Sequence, residues 1–261
     1  MMVKETIFTF PITIGSYKRF INEVFYLVKH KSSSYICFAN VHMTIEAFED
    51  SNFNAVLKGA DIVAADGQPL TLFLRYVKKI HQDRVCGIDM LPDLIREAAI
   101  RSKSVYFYGT TNPVLRKISE RAKRENPTLK ICGAFSPPFR TLSPHEKSKI
   151  VDQINREKPD LVFVALGCPK QEKWMAEHKG KIHSCMLGVG QAFNVYAGIA
   201  KRSPIWMQKS SLEWSFRLYQ EPGRLWKRYF YTNTCFLILT LEYYIHVGIE
   251  SFSARIAHKL H

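Results

Sequence analysis

Residues 160–172 read DLVFVALGCPKQE, and this stretch decides the fold. It begins with an almost continuous apolar run, residues 161–166, which is typical of a strand buried on both faces of a sheet. Gly167 then makes a tight turn, and Pro169 suits the N-terminus of a helix. A buried strand that leads directly into a helix is the repeating unit of a parallel α/β sheet.

The same unit recurs on both sides of this stretch. We predict strands near residues 35–39, 61–65, 104–109, 129–132, 160–166 and 182–189. Helical patterns lie between them, among others at residues 43–58, 90–101, 113–125 and 144–157. The sequence therefore predicts an α/β fold, a Rossmann-like open and mostly parallel sheet flanked by helices on both faces. Ligands of such sheets bind beyond the carboxyl ends of the strands.

The chain is strongly basic. Its 261 residues include 37 Lys and Arg against 23 Asp and Glu, a formal net charge of +14, which favours anionic partners. The six cysteines are widely separated and form no cluster at metal-ligand spacing, so we expect free thiols in a reducing compartment. The N-terminal sequence MMVKETIFTFPITIGS is interrupted by charge, Pro and Gly, so we expect no signal peptide and a cytoplasmic protein.

The composition changes after about residue 200, and we predict an α/β domain at 1–200 and a basic, apolar helical appendage at 201–261. Residues 201–228 are rich in Lys and Arg and carry Trp206, Trp214 and Trp226. The following run, 229–249, is largely apolar but contains Glu242, which argues against a spanning helix. Two interpretations stay open: a helix lying on a membrane surface, or a helical subdomain packed on the core.

Two strand ends carry candidate chemistry. Asp66 ends the strand in DIVAADG and could accept a proton from an attacking hydroxyl, although it could also cap the next helix. In GCPKQE, backbone N–H groups and Lys170 could hold a phosphate, and Gln171 could bind a sugar or a base. The alternative there is an ordinary strand-to-helix turn in which Glu172 complements the helix dipole.

Other candidates lie at the same edge. Gly188 and Gly190 start a G-x-G pattern, but Phe193 stands where a dinucleotide fingerprint has its third glycine. Asn40 follows the strand at 35–39, and Arg84 could pair with a phosphate. The chain has neither a Walker A motif nor an Asp-x-Asp pair, so we expect no cofactor and no metal. Cations for a leaving diphosphate must then come from Arg and Lys, which the basic appendage supplies.

These pieces together resemble the WecG/TagA/CpsF family of glycosyltransferases, over residues 40–228. The resemblance rests on six segments in order: ADG at 65–67, RVCGIDML at 84–91, ALGCPKQEKWM at 165–175, GVGQAFNVYAG at 188–198, KRSPIWM at 201–207 and LEWSFRLYQEPGRLWKRY at 212–229. It implies an inverting, metal-independent transfer of an N-acetylmannosamine-type or related sugar. The donor would be a UDP-sugar, and the acceptor a polyprenyl-diphosphate-linked sugar in cell-surface polysaccharide synthesis.

The resemblance also implies roles for residues. Asp66 would be the general base, and Asn40 and Gln171 would position a sugar. The diphosphate charge would be held by arginines and a lysine, namely Arg84, Arg217, Arg224, Lys227 and Arg228. The appendage would close the site and touch an anionic membrane, which would make the protein peripheral on the inner face of the cell membrane.

The chain departs from the family at several positions. Gln191 and Asn194 stand where members often carry Gly and Asp, and Ser203 stands where Ala is usual. These changes fall near the expected nucleotide-sugar pocket and leave the donor sugar open. The rival from another class is a non-catalytic membrane- or polyanion-binding protein on the same scaffold. A nucleic-acid partner is not expected, because the basic residues do not follow a reading helix; a homo-oligomer stays open.

Overall fold

The computed structural model describes residues 2–210 and 212–259, and among these it places eight strands and twelve helices. The strands are β1 (Val3–Ile7), β2 (Phe10–Ile14), β3 (Ser34–Ala39), β4 (Ile62–Ala65), β5 (Ser104–Gly109), β6 (Lys130–Phe135), β7 (Leu161–Ala165) and β8 (Cys185–Gly188). The helices are α1 (Tyr17–His30), α2 (Val41–Glu49), α3 (Ser51–Lys58), α4 (Gln68–Tyr76), α5 (Gly87–Ile100), α6 (Asn112–Glu125), α7 (Pro144–Glu157), α8 (Lys170–His178), α9 (Ala192–Tyr196), α10 (Ile205–Lys209), α11 (Glu213–Gln220) and α12 (Pro222–Lys259).

Six strands form one parallel sheet in the order β4-β3-β8-β7-β5-β6, which confirms the predicted fold class. Each of the six predicted strands overlaps one of these. The central strands β3, β7 and β8 are buried almost along their full length, as their apolar sequences require.

The helices cover the sheet on both faces and open a crevice between two neighbouring strands. One apolar cluster joins α1, α5, α6 and α9 to one face, and a second joins α2, α3, α4, α7 and α8 to the other. The chain leaves β3 into α2 and leaves β8 into α9, which lie on opposite faces. Adjacent strands whose following helices diverge in this way create the usual ligand crevice of an open α/β sheet.

The N-terminal hairpin β1–β2 was not predicted. Its tight turn includes Phe8, whose φ of 53° lies in the left-handed region, where Asn or Gly would have signalled a turn. The hydroxyl oxygen of Thr13 accepts a hydrogen bond of 3.1 Å from the backbone N–H of Val63 in β4. The hairpin therefore covers the free edge of β4, which would otherwise expose unpaired backbone groups.

The prediction of one continuous helix at 43–58 was wrong, because the chain forms two helices there, α2 and α3. Asp50 ends α2 and caps α3, since its carboxylate accepts hydrogen bonds from the N–H groups of Asn52 at 2.9 Å and Phe53 at 3.2 Å. A short acidic side chain can accept hydrogen bonds from the backbone N–H groups that follow it, and this favours the N-cap position over the interior of a helix.

The appendage helix α12 packs one side on the core and leaves another exposed. Phe236 is buried against Phe8 and Phe73, with ring centroids 5.8 and 6.4 Å apart. The exposed apolar residues of this helix include Phe230, Leu237, Ile238, Leu241, Tyr244 and Ile245. The packed side agrees with a helical subdomain on the core, and the contact of the exposed side with a membrane stays a prediction. Among the described residues, no helix is long and apolar enough to cross a bilayer.

Candidate functional site

A cleft with a cavity volume of about 300 Å³ lies where the crevice of the sheet meets α11 and α12. Most of the predicted site residues line it: Asn40, Asp66, Arg84, Gln171, Gly188, Gly190, Arg217, Arg224 and Arg228. Lys170 and Lys227 are exposed and do not line it. We call Asn40, Asp66, Gln171, Gly188 and Gly190 the floor, because they follow the strand ends or belong to them. We call Glu213, Arg217, Arg224 and Arg228 the roof, because they come from α11 and α12.

Asp66 reaches the floor through the register of two strands. Ala39 pairs with Ala65, so the residues that follow them leave the sheet side by side, and the N–H of Asp66 donates to the carbonyl of Ala39 at 2.7 Å. The helix-cap alternative is wrong: the N-cap of α4 is Gly67, at a φ of 120°, and no side-chain bond caps this helix. The carboxylate of Asp66 therefore stays available to a ligand.

The surroundings of Asp66 tune its acidity. Burial raises the pKa of this carboxyl to about 7, and the negative charge of Glu213 adds to the effect, while Arg84 and Arg217 oppose it. A pKa near neutrality is the value that serves a general base, since the group is ionised often enough to act and basic enough to accept a proton.

Asn40 and His42 form the start of α2 beside Asp66. The Asn40 side-chain oxygen accepts from the N–H of Met43 at 3.1 Å, so its Nδ2 is the atom left to donate to a ligand. His42 also lines the cleft, and burial together with the charge of Arg228 lowers the pKa of its imidazole to about 4. His42 is therefore neutral at neutral pH. In the sequence a lone His beside a helix cap gives no stronger signal than that of a structural residue.

Gln171 lies in the first turn of α8 and is almost fully buried against β8. Its Nε2 donates to the Glu172 carboxylate at 2.6 Å and to the Gly188 carbonyl at 3.0 Å. Glu172 has no solvent exposure. A glutamate that complements the helix dipole, which was the alternative that the sequence left open, is ordinarily exposed. Both residues belong to the base of the cleft, and only Gln171 lines it.

In the turn at 167–170, Gly167 and Cys168 line the cleft, and two backbone N–H groups of the following helix donate back to this turn. The N–H of Gln171 donates to the Gly167 carbonyl at 2.9 Å, and that of Lys173 donates to Pro169 at 3.1 Å. These backbone donors are therefore already used, and the exposed Lys170 lies outside the cleft.

Arg84 joins the two sides of the cleft. Its guanidinium donates to Glu213 of the roof at 2.6 Å and to Asp89 at 2.9 Å, and Arg202 also pairs with Asp89. The charge of Arg84 is thus balanced by two carboxylates. Sequence reasoning missed Glu213, because nothing in the local pattern of LEW shows that its partner lies 129 positions away.

The roof arginines supply the positive charge of the cleft. Arg224 pairs with Glu221 at 2.5 Å, whereas Arg217 and Arg228 have no carboxylate within ion-pair distance among the residues that the structure describes. The Nε of Arg228 is buried without a hydrogen-bond partner in the same part of the chain. Lys227 instead lies over the ring of Trp226, 5.6 Å from its centroid.

The arrangement combines one carboxylate of raised pKa, oriented amide groups and a cationic wall. Such a set can deprotonate a hydroxyl nucleophile and stabilise an anionic leaving group. In the described part of the chain, no group of three or more His, Cys, Asp or Glu side chains is placed to hold a metal ion.

Comparison with known proteins gives consistent matches. Residues 5–247 match the family described as the glycosyl transferase WecG/TagA/CpsF family. The chain is 31% identical over 232 residues, 87% of each protein, to the N-acetylglucosaminyldiphosphoundecaprenol N-acetyl-beta-D-mannosaminyltransferase of Bacillus subtilis (strain 168). Proteins of the same name from Bacillus spizizenii (strain ATCC 23059 / NRRL B-14472 / W23) and Staphylococcus aureus (strain MW2) are 32% and 27% identical over 207 residues, 79% of this chain and 78% of each relative.

Proposed function

This chain belongs to the WecG/TagA/CpsF family of glycosyltransferases, and from that premise we propose that it transfers an N-acetylmannosamine-type sugar from a UDP donor to a polyprenyl-diphosphate-linked acceptor. The observation that carries the proposal is the Asp66 carboxylate, which lines the cleft at the sheet edge opposite a roof of arginines. The names of the relatives supply the sugar and the acceptor, a diphosphoundecaprenol-linked N-acetylglucosamine. The product would enter cell-surface polysaccharide.

The proposed reaction is an in-line displacement. Asp66 accepts the proton of an acceptor hydroxyl as that oxygen forms a bond to the anomeric carbon of the donor sugar. The bond from the anomeric carbon to the diphosphate oxygen breaks on the opposite side, so the configuration inverts and UDP leaves. Ionised Asp66 starts the step, and its raised pKa makes it a stronger base than an ordinary aspartate.

The departing diphosphate needs positive charge, and we assign that role to the roof. Arg217 and Arg228 line the cleft and have no carboxylate partner among the described residues, so their charge is available to a ligand. Guanidinium groups bind diphosphate oxygens in pairs and need no proton transfer to do so. We therefore propose that the reaction needs no metal ion.

We also propose that residues 201–261 bring the site to an anionic membrane surface on the cytoplasmic side. The exposed side of α12 carries large apolar residues, and Trp206, Trp214 and Trp226 are exposed beside many Lys and Arg residues. Aromatic and apolar side chains flanked by cations suit the headgroup region of an anionic bilayer. A lipid-linked acceptor would be reached from that position.

The test is a transfer assay with purified protein, a panel of UDP-sugars and a short-chain prenyl-diphosphate-N-acetylglucosamine acceptor, in the presence of EDTA. UDP release that requires both the acceptor and one particular donor supports the proposal and names the sugar. Activity that appears only when divalent cations are restored would remove metal independence. No transfer from any donor, with intact binding to anionic vesicles, would favour a non-catalytic binding protein on the same scaffold.

A further inference from the structure

Glu172 is a buried acid to which the proposed reaction assigns no role. It has no solvent exposure, and burial raises its pKa to about 7. One carboxylate oxygen accepts the hydrogen bond from Gln171, and the other has no partner in the described part of the chain apart from the weak donor thiol of Cys168. A buried acid with an unsatisfied oxygen opposes folding, so its presence calls for another reason.

Glu172 contacts the side-chain amide of Gln171, whose orientation its hydrogen bond helps to fix. Gln171 is only 5% exposed, and its Nε2 donates both to Glu172 and to the carbonyl of Gly188. Because a carbonyl can only accept, the nitrogen must lie on this side, and Oε1 must lie on the other. That Oε1 is buried, has no partner among the described residues, and belongs to a side chain that lines the cleft.

The two glycines of the G-x-G pattern make room for this pair. A Cβ on Gly188 would lie 3.1 Å from Nε2 of Gln171 and 3.3 Å from the Glu172 carboxylate. A Cβ on Gly190 would lie 3.2 Å from Oε1 of Gln171, and its φ of 49° already disfavours other residues. The pattern that first suggested a nucleotide loop therefore seats Gln171 and Glu172.

We propose that Glu172 is a positioning residue that holds the Gln171 amide in one orientation, with Oε1 as an acceptor for a sugar N–H or O–H group of the substrate. The inference rests on the proposed function for the identity of that ligand. The floor would then offer complementary groups, because Asn40 leaves its Nδ2 to donate while Gln171 leaves its Oε1 to accept. Both the donor sugar and the acceptor sugar can supply the hydrogen-bond donor that Oε1 needs, either an acetamido N–H or a hydroxyl group.

The test compares Glu172→Met, Glu172→Gln, Gln171→Met and the double variant Glu172→Met/Gln171→Met in the full-length chain. Methionine fills a similar volume but cannot accept the bond from Nε2, so we expect Glu172→Met to raise KM roughly 10-fold for one substrate, with kcat changed less. KM measured separately for the donor and for the acceptor tells which sugar Gln171 binds. Glu172→Gln keeps an acceptor oxygen and should stay within about threefold of wild type.

The double variant separates positioning from a structural role. If Glu172 acts through Gln171, Glu172→Met adds nothing in the Gln171→Met background. Effects that multiply, or unchanged KM values in Glu172→Met, would overturn the inference. Thermal unfolding of each variant checks the fold, and Glu177→Met on the exposed side of α8 is the matched control that should leave both KM values unchanged.

A failure of the proposed function would look different. Wild-type protein that transfers no sugar would contradict the transferase assignment while leaving ligand binding to be measured. Calorimetric titration of UDP-sugar and of acceptor then decides the matter for Glu172. Weaker binding of one ligand to Glu172→Met, but no further loss in the double variant, supports the positioning role, and equal binding by all variants refutes it.

Discussion

The floor and the roof of the cleft are built by different forces. The floor is fixed by strand register and by short hydrogen bonds between buried groups, such as the bond of 2.6 Å between Gln171 and Glu172. The roof is fixed by ion pairs, chiefly that of Glu213 with Arg84, and by the aromatic contacts of Phe236. None of the side chains of α11 is fully buried. Geometry is therefore set in the floor, and charge is delivered from the roof.

This difference predicts different consequences of mutation. A floor side chain is held by strand register and by hydrogen bonds, so its replacement removes one specific function, either proton transfer or one oriented contact with the substrate. A roof side chain contributes charge that its neighbours share, and that charge is partly screened by salt. Four substitutions, ordered from the largest expected effect to the smallest, examine this division.

Asp66→Asn in the floor should have the largest effect. The amide cannot accept a proton, and general-base catalysis contributes roughly 10²- to 10⁴-fold to a rate, so kcat should fall by that factor. Binding of UDP, measured by calorimetry, should change little. A variant with near wild-type kcat would remove Asp66 from the role of base.

The same substitution has a pH signature in stability. Because folding raises the pKa of Asp66 to about 7, the folded state binds more protons than the unfolded state between about pH 4 and pH 7. Asp66 therefore lowers the free energy of unfolding as the pH rises through that window. Asp66→Asn should raise the Tm at pH 8 and leave it unchanged below pH 4. An equal Tm difference at both pH values would contradict the raised pKa.

Arg228→Ala in the roof should have the second largest effect. Its guanidinium lines the cleft, and a charge-assisted bond to a diphosphate contributes roughly 1.5–3 kcal/mol, which corresponds to about 10- to 100-fold in kcat/KM. The effect should shrink as the salt concentration rises, since wild-type activity loses part of the same attraction. Measuring kcat/KM of wild type and variant over a series of salt concentrations gives both the size of the loss and its dependence on salt. A salt-independent loss would indicate a packing defect in α12 instead.

The floor was largely predictable from the sequence, and the roof was predictable only in its charge. Strand ends can be located from apolar runs, and parallel strands bring their carboxyl ends to one edge, so Asn40 and Asp66 were expected at the same edge, and both line the cleft there. The side on which a helical residue lies in the roof depends on how α12 packs. Arg228 therefore lines the cleft while the adjacent Lys227 does not, although the sequence treats both alike.

Two further failures have physical reasons. The β1–β2 hairpin turns at Phe8 rather than at a glycine or an asparagine, so the turn left no signal. The burial of Glu172 depends on its packing against β8, which lies beyond any local pattern, and a glutamate in the first turn of a helix is ordinarily exposed. Long-range ion pairs such as that of Arg84 with Glu213 are equally invisible in a single sequence.

Glu213→Gln should have a moderate effect that depends on pH. The charge of Glu213 helps to raise the pKa of Asp66, and its removal also releases Arg84, which lowers that pKa. Both changes act in the same direction. We expect the rising limb of kcat/KM against pH near pH 7 in the wild type, because ionised Asp66 is the proposed base, and at lower pH in the variant. The ratio of variant to wild-type kcat/KM would therefore be higher at pH 6 than at pH 8. A shift to higher pH would contradict the electrostatic link between roof and floor.

Lys227→Ala should have the smallest effect, although it removes the same charge as Arg228→Ala from the adjacent position. The Lys227 side chain is exposed over Trp226 and does not line the cleft, so we expect kcat/KM with a short-chain, soluble acceptor to stay within about twofold of wild type. Binding to anionic vesicles is a different matter, because each basic residue near the surface adds roughly 1 kcal/mol. Lys227→Ala should therefore weaken vesicle binding in a sedimentation assay while leaving the soluble reaction intact. If it impaired the soluble reaction as much as Arg228→Ala does, the total charge of the appendage, rather than the position of each cation relative to the cleft, would govern the reaction.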